Sequence, residues 1–214
     1  MPDPDRRLTN QGIERKQQLL DAAAALFAER GYAETRIVDI CRDAGVAKGL
    51  FYWYFDTKEA VFRDLATDLR LRLRREQQRA MDPGRTALVR IRQASEASVR
   101  FMAAHSKSFS LLAVENVDRQ FVDDIRAGTE VHADDTERLV REAHAAGLLR
   151  DEDPRLLAYS VLSTVGWFAH FHRTGRLDLD VDELAAFVGR HVVCSIAASE
   201  EIVRASLTAT ATIG

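Results

Sequence analysis

Apolar positions recur along most of this chain at intervals of three and four residues, the spacing that lines one face of an α-helix. Between Glu14 and Arg30 the positions Leu19, Leu20, Ala23, Ala24, Leu26 and Phe27 keep that period, and Gly31 supplies a C-terminal stop. A second helix is expected over Ile37–Ala44, ended by Gly45, and a third over Ala47–Tyr54. Asp56-Thr57-Lys58-Glu59 is a start signal, since Asp56 or Thr57 can cap and Glu59 lies three residues after Asp56. It opens a long fourth helix, Lys58–Ala80, which Asp82-Pro83-Gly84 breaks. Further helices are expected over Thr86–Ala104, Ser106–Asn116, Phe121–Ala146, Pro154–His172 and Val181–Ala205, with a frayed tail from Ser206 to Gly214. Ala, Leu, Arg and Glu dominate and β-branched clusters are few, which favours helix. The fold class is all-α with about nine helices. A small three-helix unit, residues 1–57, precedes a larger helical unit, residues 58–214, and the fourth helix links them.

Two short helices joined by a turn that contains glycine form a helix-turn-helix. Ile37, Ile40, Cys41 and Ala44 give the second helix one apolar face, and Cys41 is small where the two helices approach. Gly45 allows a positive φ in the turn, and Val46 and Phe51 fill the angle. That packing turns Lys48, Gly49, Leu50, Tyr52 and Trp53 outward. The run Phe51-Tyr52-Trp53-Tyr54-Phe55 cannot all be core, because helical spacing does not bury five consecutive bulky residues on one face. An outward face of this composition suits DNA. Lys48 can reach base acceptors, and Leu50 or Trp53 can touch a thymine methyl. Tyr52, Thr35 and Lys58 suit phosphates, which position a protein while base edges specify sequence.

Gly31-Tyr32, Thr35, Ile37, Asp39-Ile40, Ala44-Gly45-Val46-Ala47-Lys48-Gly49, Phe51-Tyr52, Tyr54-Phe55 and Thr57-Lys58-Glu59 together resemble the N-terminal domain of TetR-family repressors. The likeness is specific over about residues 14–65 and looser beyond. It implies a nine- or ten-helix Ω-like homodimer with a ligand pocket in its C-terminal bundle. It places Thr35 and Arg36 on phosphate, Lys48, Gly49, Leu50 and Trp53 against bases, and Tyr52, Tyr54 and Lys58 on the backbone. The chain departs from the family at Ala47, where a capping Ser or Thr is usual, and at Leu50, where Thr is common. Ala47 lacks the capping hydroxyl, at a cost of ~1 kcal/mol of helix start. Leu50 removes a hydrogen-bonding group from the reading face, so the operator sequence cannot be taken from relatives.

In the larger unit, Leu156, Leu157, Tyr159, Leu162, Trp167, His170 and Phe171 put apolar residues on nearly every side of the eighth helix, which is therefore expected to be buried all round. Ser163 and Gly166 form a line for close approach, and Ala185, Val188, Val192 and Ile196 supply a stripe on the ninth. The resemblance implies that these last two helices join two copies in a four-helix interface. Phe101, His105, Phe109, Phe121, Trp167 and His170 are the candidates for lining an apolar ligand pocket.

Charge and composition narrow the picture without carrying it. The net charge of −3 does not mark a nucleic-acid binder, so the DNA reading rests on spacing. Cys41 and Cys194 form no metal or disulfide pattern, and each is expected to be a small, buried, reduced residue. His132, Asp134, Asp135, Glu137 and His144 lack the multi-ligand spacing of a zinc site and are expected to be solvated helix surface. No nucleophile elbow, phosphate-cradling glycine loop or HExxH is present, so no enzymatic mechanism, catalytic residue, metal or cofactor is expected. The arginines between Arg70 and Arg79 are read as a solvated helix face. The longest uncharged run, Leu156–His172, is too short and too polar for a membrane span, and the first dozen residues lack a signal-peptide core, so a cytoplasmic protein is expected. The function expected is a DNA-binding transcriptional regulator, a repressor released from a pseudo-palindromic operator by a small molecule. The alternative is a ligand-binding or partner-regulated protein of the same fold.

Overall fold

The computed structural model describes residues 9–111 and 121–208. Ten helices follow one another among them. The first five are α1 (Asn10–Arg30), α2 (Ile37–Asp43), α3 (Lys48–Tyr54), α4 (Lys58–Ala80) and α5 (Ala87–Ala104). The others are α6 (Ser106–Leu111), α7 (Val122–Ala145), α8 (Pro154–Arg173), α9 (Val181–Ile196) and α10 (Glu200–Thr208). The all-α expectation holds, and α4 has the limits its start and stop signals set. Side-chain caps fix several starts. Thr9 accepts from Gly12 N at 3.2 Å and Thr86 from Val89 N at 3.4 Å. Asp153 accepts from the amides of Arg155 and Leu156 at the start of α8, where Pro154 lacks a donor to leave unpaired.

The C-terminal end departs from expectation. One helix over Val181–Ala205 becomes two, because Ala197 turns extended (φ −66°, ψ 146°) and pairs with Leu149 in an isolated antiparallel bridge. Arg150 N donates to Ile196 O and Ala198 N to Leu148 O, both at 3.0 Å. Ser199 then caps α10, accepting from Ile202 N at 3.3 Å. Residues expected to fray are ordered as far as Thr208, and Ser206 is buried. The part of the expected sixth helix beyond Leu111, and the tail from 209, lie outside the described residues.

The chain divides into two compact units, Met1–Arg70 with Lys107–Arg126, and Leu71–Ser106 with Ala127–Gly214. In the first, α1 contributes Leu19, Ala23, Leu26 and Phe27 to a core shared with Ile40 and Cys41 of α2, Phe51 of α3, Phe55 and Val61 and Phe62 of α4. Phe121 closes it, stacked on Phe62 with ring centres 4.2 Å apart.

In the second unit, α5 runs against α8 and α9, and α10 packs on α9. Leu88, Ile91 and Val99 of α5 meet Val161 and Val165 of α8 and Leu184, Val188, Val192 and Ile196 of α9 in one core. Gly189 permits the approach of α9 to α5, since a Cβ there would lie 2.6 Å from Glu96 Cγ. Burial pushes the Glu96 carboxyl above the usual carboxylate range, opposed by Arg92, Arg100 and Arg190.

The eighth helix is not buried on every side. Leu156 is 60% exposed and Trp167 55% exposed, and Ser163 and Gly166 lie on the same open strip. Phe187 and Cys194 are exposed on α9. The expectation of a buried Cys194 is therefore corrected: only Cys41 faces a core, because Cys194 falls outside the α9 stripe of Val188, Val192 and Ile196.

Candidate functional site

The helix-turn-helix is closed by main-chain bonds that only a left-handed residue allows. Gly45 has φ +65°, so that its own amide reaches Arg42 O (3.2 Å) and the next, Val46 N, reaches back to Cys41 O (2.9 Å). These are the paired bonds of a Schellman ending. Cys41 is buried at the turn, and its thiol is pushed up by that burial, opposed by Lys48. Phe51 and Phe55, four apart, are buried, whereas Tyr52 and Trp53 between them are 45% and 40% exposed. The five consecutive aromatic positions thus divide between core and surface. Ala47 caps α3 without a side-chain bond.

The outward face of α3 carries Lys48, Gly49, Tyr52 and Trp53 as exposed residues, with Leu50 and Tyr54 half-buried. The Lys48 ammonium lies over the Tyr52 ring, 5.7 Å from its centre. Arg36, at the start of α2, and Arg42, in its last turn, are exposed but both donate to buried Asp39, at 2.9 Å and 3.0 Å. The Arg36 hydrogen bond holds the Asp39 carboxyl below the usual range, against the penalty of burial. The Arg36 side chain is otherwise open to solvent.

Two of the residues expected on phosphate are engaged elsewhere. Thr35 is 1% exposed, and its hydroxyl donates to Gly31 O at 2.8 Å. Lys58 Nζ donates to the carbonyls of Tyr32 (2.7 Å), Ala33 (3.2 Å) and Thr35 (2.9 Å) and sits 4.2 Å from the Tyr32 ring centre. All three ammonium donors are occupied by the loop after α1. In this structure both side chains hold the entry to α2. Glu59 completes the arrangement by accepting from Tyr32 Oη at 2.9 Å. Its own amide, then the tyrosine and Thr57, hold its carboxyl below the usual range.

The six residues expected to line a ligand pocket do not come together. Phe121 is wholly buried in the first unit, and Phe109 belongs to that unit as well. Trp167 is exposed, with His170 against its edge at 5.3 Å. Phe101 and His105 stack at 4.1 Å on an open groove beside Arg72, Arg75, Arg79 and Arg100. The arginine-rich stretch is thereby split, for Arg74 turns the other way and bonds Asp135 at 3.0 Å.

Arg74 lines a cavity of about 270 Å³ inside the second unit, between α4, α5, α7 and α8. Ile91, Ala94, Leu139, Val161, Leu162 and Val165 form its apolar walls, with Ser95, Ser98, Thr136 and His132 among them. None of these was a candidate in the sequence. His132 was expected on solvated surface, but it faces this cavity, and burial pushes its imidazole below the ordinary histidine range against the pull of Asp135. The available signal was the spacing His132, Asp135, Thr136 and Leu139, which puts all four on one face of α7. No group of three or more His, Cys, Asp or Glu side chains is placed to hold a metal ion among the described residues. No helix among them is long and apolar enough to cross a membrane.

Residues 19–65 match the family described as bacterial regulatory proteins, tetR family, and residues 84–196 match the tetracyclin repressor-like C-terminal domain. The chain belongs to the TetR family. It is 38% identical over 68 residues to the uncharacterized HTH-type transcriptional regulator YdgC of Bacillus subtilis, covering 32% of this chain and 35% of that one. The match thus spans about a third of that relative. A second regulator from the same organism, YhgD, is 23% identical over 200 residues, 87% of this chain and 99% of its own. Among solved structures, a SmeT–triclosan complex superposes with TM-score 0.73 at 22% identity, over 88% of this chain and 94% of that one. SmeT is the repressor of a multidrug efflux pump in Stenotrophomonas maltophilia. The TetR match over 19–65 takes in the turn at Gly45 and the whole of α3.

Two outcomes follow for this TetR-family chain. Lys58→Met keeps the stem and removes three charge-assisted bonds, so urea unfolding should show a loss of about 2 kcal/mol. Unchanged stability would mean that the clamp is idle. The second concerns pH. His132 shares its surroundings with Arg74 of α4, Arg90 of α5, and Asp135, Arg138 and Glu142 of α7. Its proton affinity is lowered in the folded state, so the unfolded chain binds more protons below the ordinary histidine value of ~6.5. Stability contributed by neutral His132 is therefore complete above that pH and is lost as pH falls toward the folded-state value. Urea midpoints compared at pH values on either side of ~6.5 should fall further for the wild type than for His132→Phe. Parallel behaviour of the two would show that His132 does not titrate differently on unfolding.

Proposed function

We propose that this protein is a sequence-specific DNA-binding transcriptional regulator, a homodimeric repressor released from a pseudo-palindromic operator by a small molecule. The observation that carries the reading is the outward face of α3, where Tyr52 and Trp53 stand exposed beside Lys48. Apolar aromatic surface of this kind is costly to leave in water and is suited to a groove edge. In this reading Lys48, Gly49, Leu50 and Trp53 meet bases in the major groove, while Arg36, Tyr52 and Tyr54 position the helix on phosphates and Ala47 opens it against the backbone. Residues 1–57 are the DNA-reading domain and residues 58–214 bind ligand and dimerise.

The exposed strip of Leu156, Ser163, Gly166 and Trp167 on α8, with Phe187 on α9, supports dimerisation through these two helices. A second copy would cover that apolar surface, and the small residues would let backbones approach. Release by a small molecule is supported by the cavity in the second unit, and the similar fold of SmeT is known in complex with triclosan. α4 is continuous from Lys58 to Ala80, so a ligand beside Arg74 and Gln77 can act on the helix that begins at the DNA-reading end. Such a ligand must bind the DNA-incompetent state more tightly.

The test is selection from a random duplex pool with the full chain. We expect a pseudo-palindrome whose half-sites lie one helical turn apart, ~34–36 Å, with affinity falling steeply as salt rises. On the selected site Lys48→Ala should cost ~1–3 kcal/mol, whereas Tyr52→Phe should weaken all sequences alike. Trp167→Glu should convert the dimer to monomer in light scattering. Absence of any enriched sequence would remove the regulator reading, and a dimeric Trp167→Glu would remove the interface.

A further inference from the structure

The polar groups around the 270 Å³ cavity can be accounted for one by one. Arg74 donates to Asp135 at 3.0 Å, and Arg138 donates to the same carboxylate. Arg90 donates to Glu142. The two carboxylates and three guanidiniums of the wall are thus bonded to one another. The Ser95 hydroxyl donates to Ile91 O at 2.8 Å and Ser98 to Ala94 O at 2.6 Å, while Gln77 donates to Ser98 at 2.9 Å. Thr136 donates to His132 O at 3.0 Å. What remain are Arg90 Nε, which is buried with no hydrogen-bond partner, and the His132 ring, which faces the cavity with no partner among the described residues.

We propose that this cavity takes a compact, uncharged, mainly hydrocarbon molecule bearing one hydroxyl group, and that His132 recognises the hydroxyl. The assignment rests on the reading of the second unit as the ligand-binding half. Size sets the first limit. About 270 Å³ is the share of roughly nine waters at ~30 Å³ each, room for a bicyclic molecule. Charge sets the second. A carboxylate held at His132 would lie beside the Asp135 carboxylate, three residues on along the same face of α7, whose charge the imidazole already feels. A cation would meet the guanidiniums themselves. Hydrogen bonding sets the third limit, because a neutral imidazole offers one donor and one acceptor, and a hydroxyl matches either. A hydrocarbon without a polar group would leave the ring unpaired once water is displaced. The low proton affinity of the buried imidazole agrees with this, since the ring stays neutral near pH 7.

Three compounds of one skeleton separate these limits: 2-naphthol, naphthalene and 2-naphthoate, titrated into the full chain without DNA. The neutral alcohol should bind most tightly. His132→Phe keeps the ring and removes its hydrogen bonds, and should weaken 2-naphthol about tenfold, or 1.4 kcal/mol, while leaving naphthalene unchanged. Ala94→Leu narrows the cavity with His132 in place and should weaken naphthalene and 2-naphthol alike. It reports on the site even if the histidine variant does not fold. Tighter binding of 2-naphthoate, equal binding of 2-naphthol to wild type and His132→Phe, or indifference of all three compounds to Ala94→Leu would each overturn the assignment. Adding the selected operator separates this inference from the release reading. Binding with the expected pattern but no loss of DNA affinity would uphold the cavity chemistry and remove the release mechanism.

Discussion

An ammonium group surrounded by backbone carbonyls sets the geometry of the helix-turn-helix. The first residue of α4 holds the loop between α1 and α2 through three carbonyl oxygens, and the buried Thr35 hydroxyl ties the same loop back to the end of α1. These contacts fix where α2 begins. The turn at Gly45 then fixes α3 relative to α2, and α3 presents its aromatic edge. Each step depends on the one before. A helix of seven residues, as α2 and α3 each are, has little stability of its own, and its direction is set by what it packs on.

The larger unit rests on a different constraint, the close approach of α5 to α9 across Gly189. One face of α5 is filled by aliphatic side chains from α8 and α9. Toward α4 and α7 the same helix carries Ala94, Ser95 and Ser98, small residues that leave volume empty. A core and a cavity thus lie on two sides of one helix. The difference between them is side-chain size, because backbone spacing between helices is far less adjustable than the atoms that fill it.

Much of this was legible in the sequence, and what was not has a common cause. Apolar period and punctuation placed nearly every helix, and the alternation of buried Phe51 and Phe55 with exposed Tyr52 and Trp53 followed from helical spacing. The break between α9 and α10 was missed because Ala197 and Ala198 carry no stop signal, and the extended backbone there is imposed by pairing with Leu149 and Leu148. Only Ser199 followed by two glutamates marks the restart. Thr35 and Lys58 were read from their chemical capacity, which does not reveal that the carbonyl of Gly31 accepts from the one and carbonyls of the loop after α1 accept from the other. The pocket was sought among aromatic residues. Large rings such as Phe121 fill space, however, and the unfilled volume lies where α5 carries Ala94, Ser95 and Ser98. A sequence displays the side chains that are present, and a cavity is defined by those that are not.

The nine-residue α10 has a consequence for motion. A helix of that length is marginal in water, where ~12–15 residues are needed even for favourable sequences. It persists because Ile202, Val203 and Leu207 pack against the core beside α9. Its docking and its folding are therefore one event. Amide exchange along α10 would proceed through detachment of the whole segment, so its protons should share a single opening free energy below that of α5 or α9. The C-terminal edge of the core therefore detaches and docks as one piece.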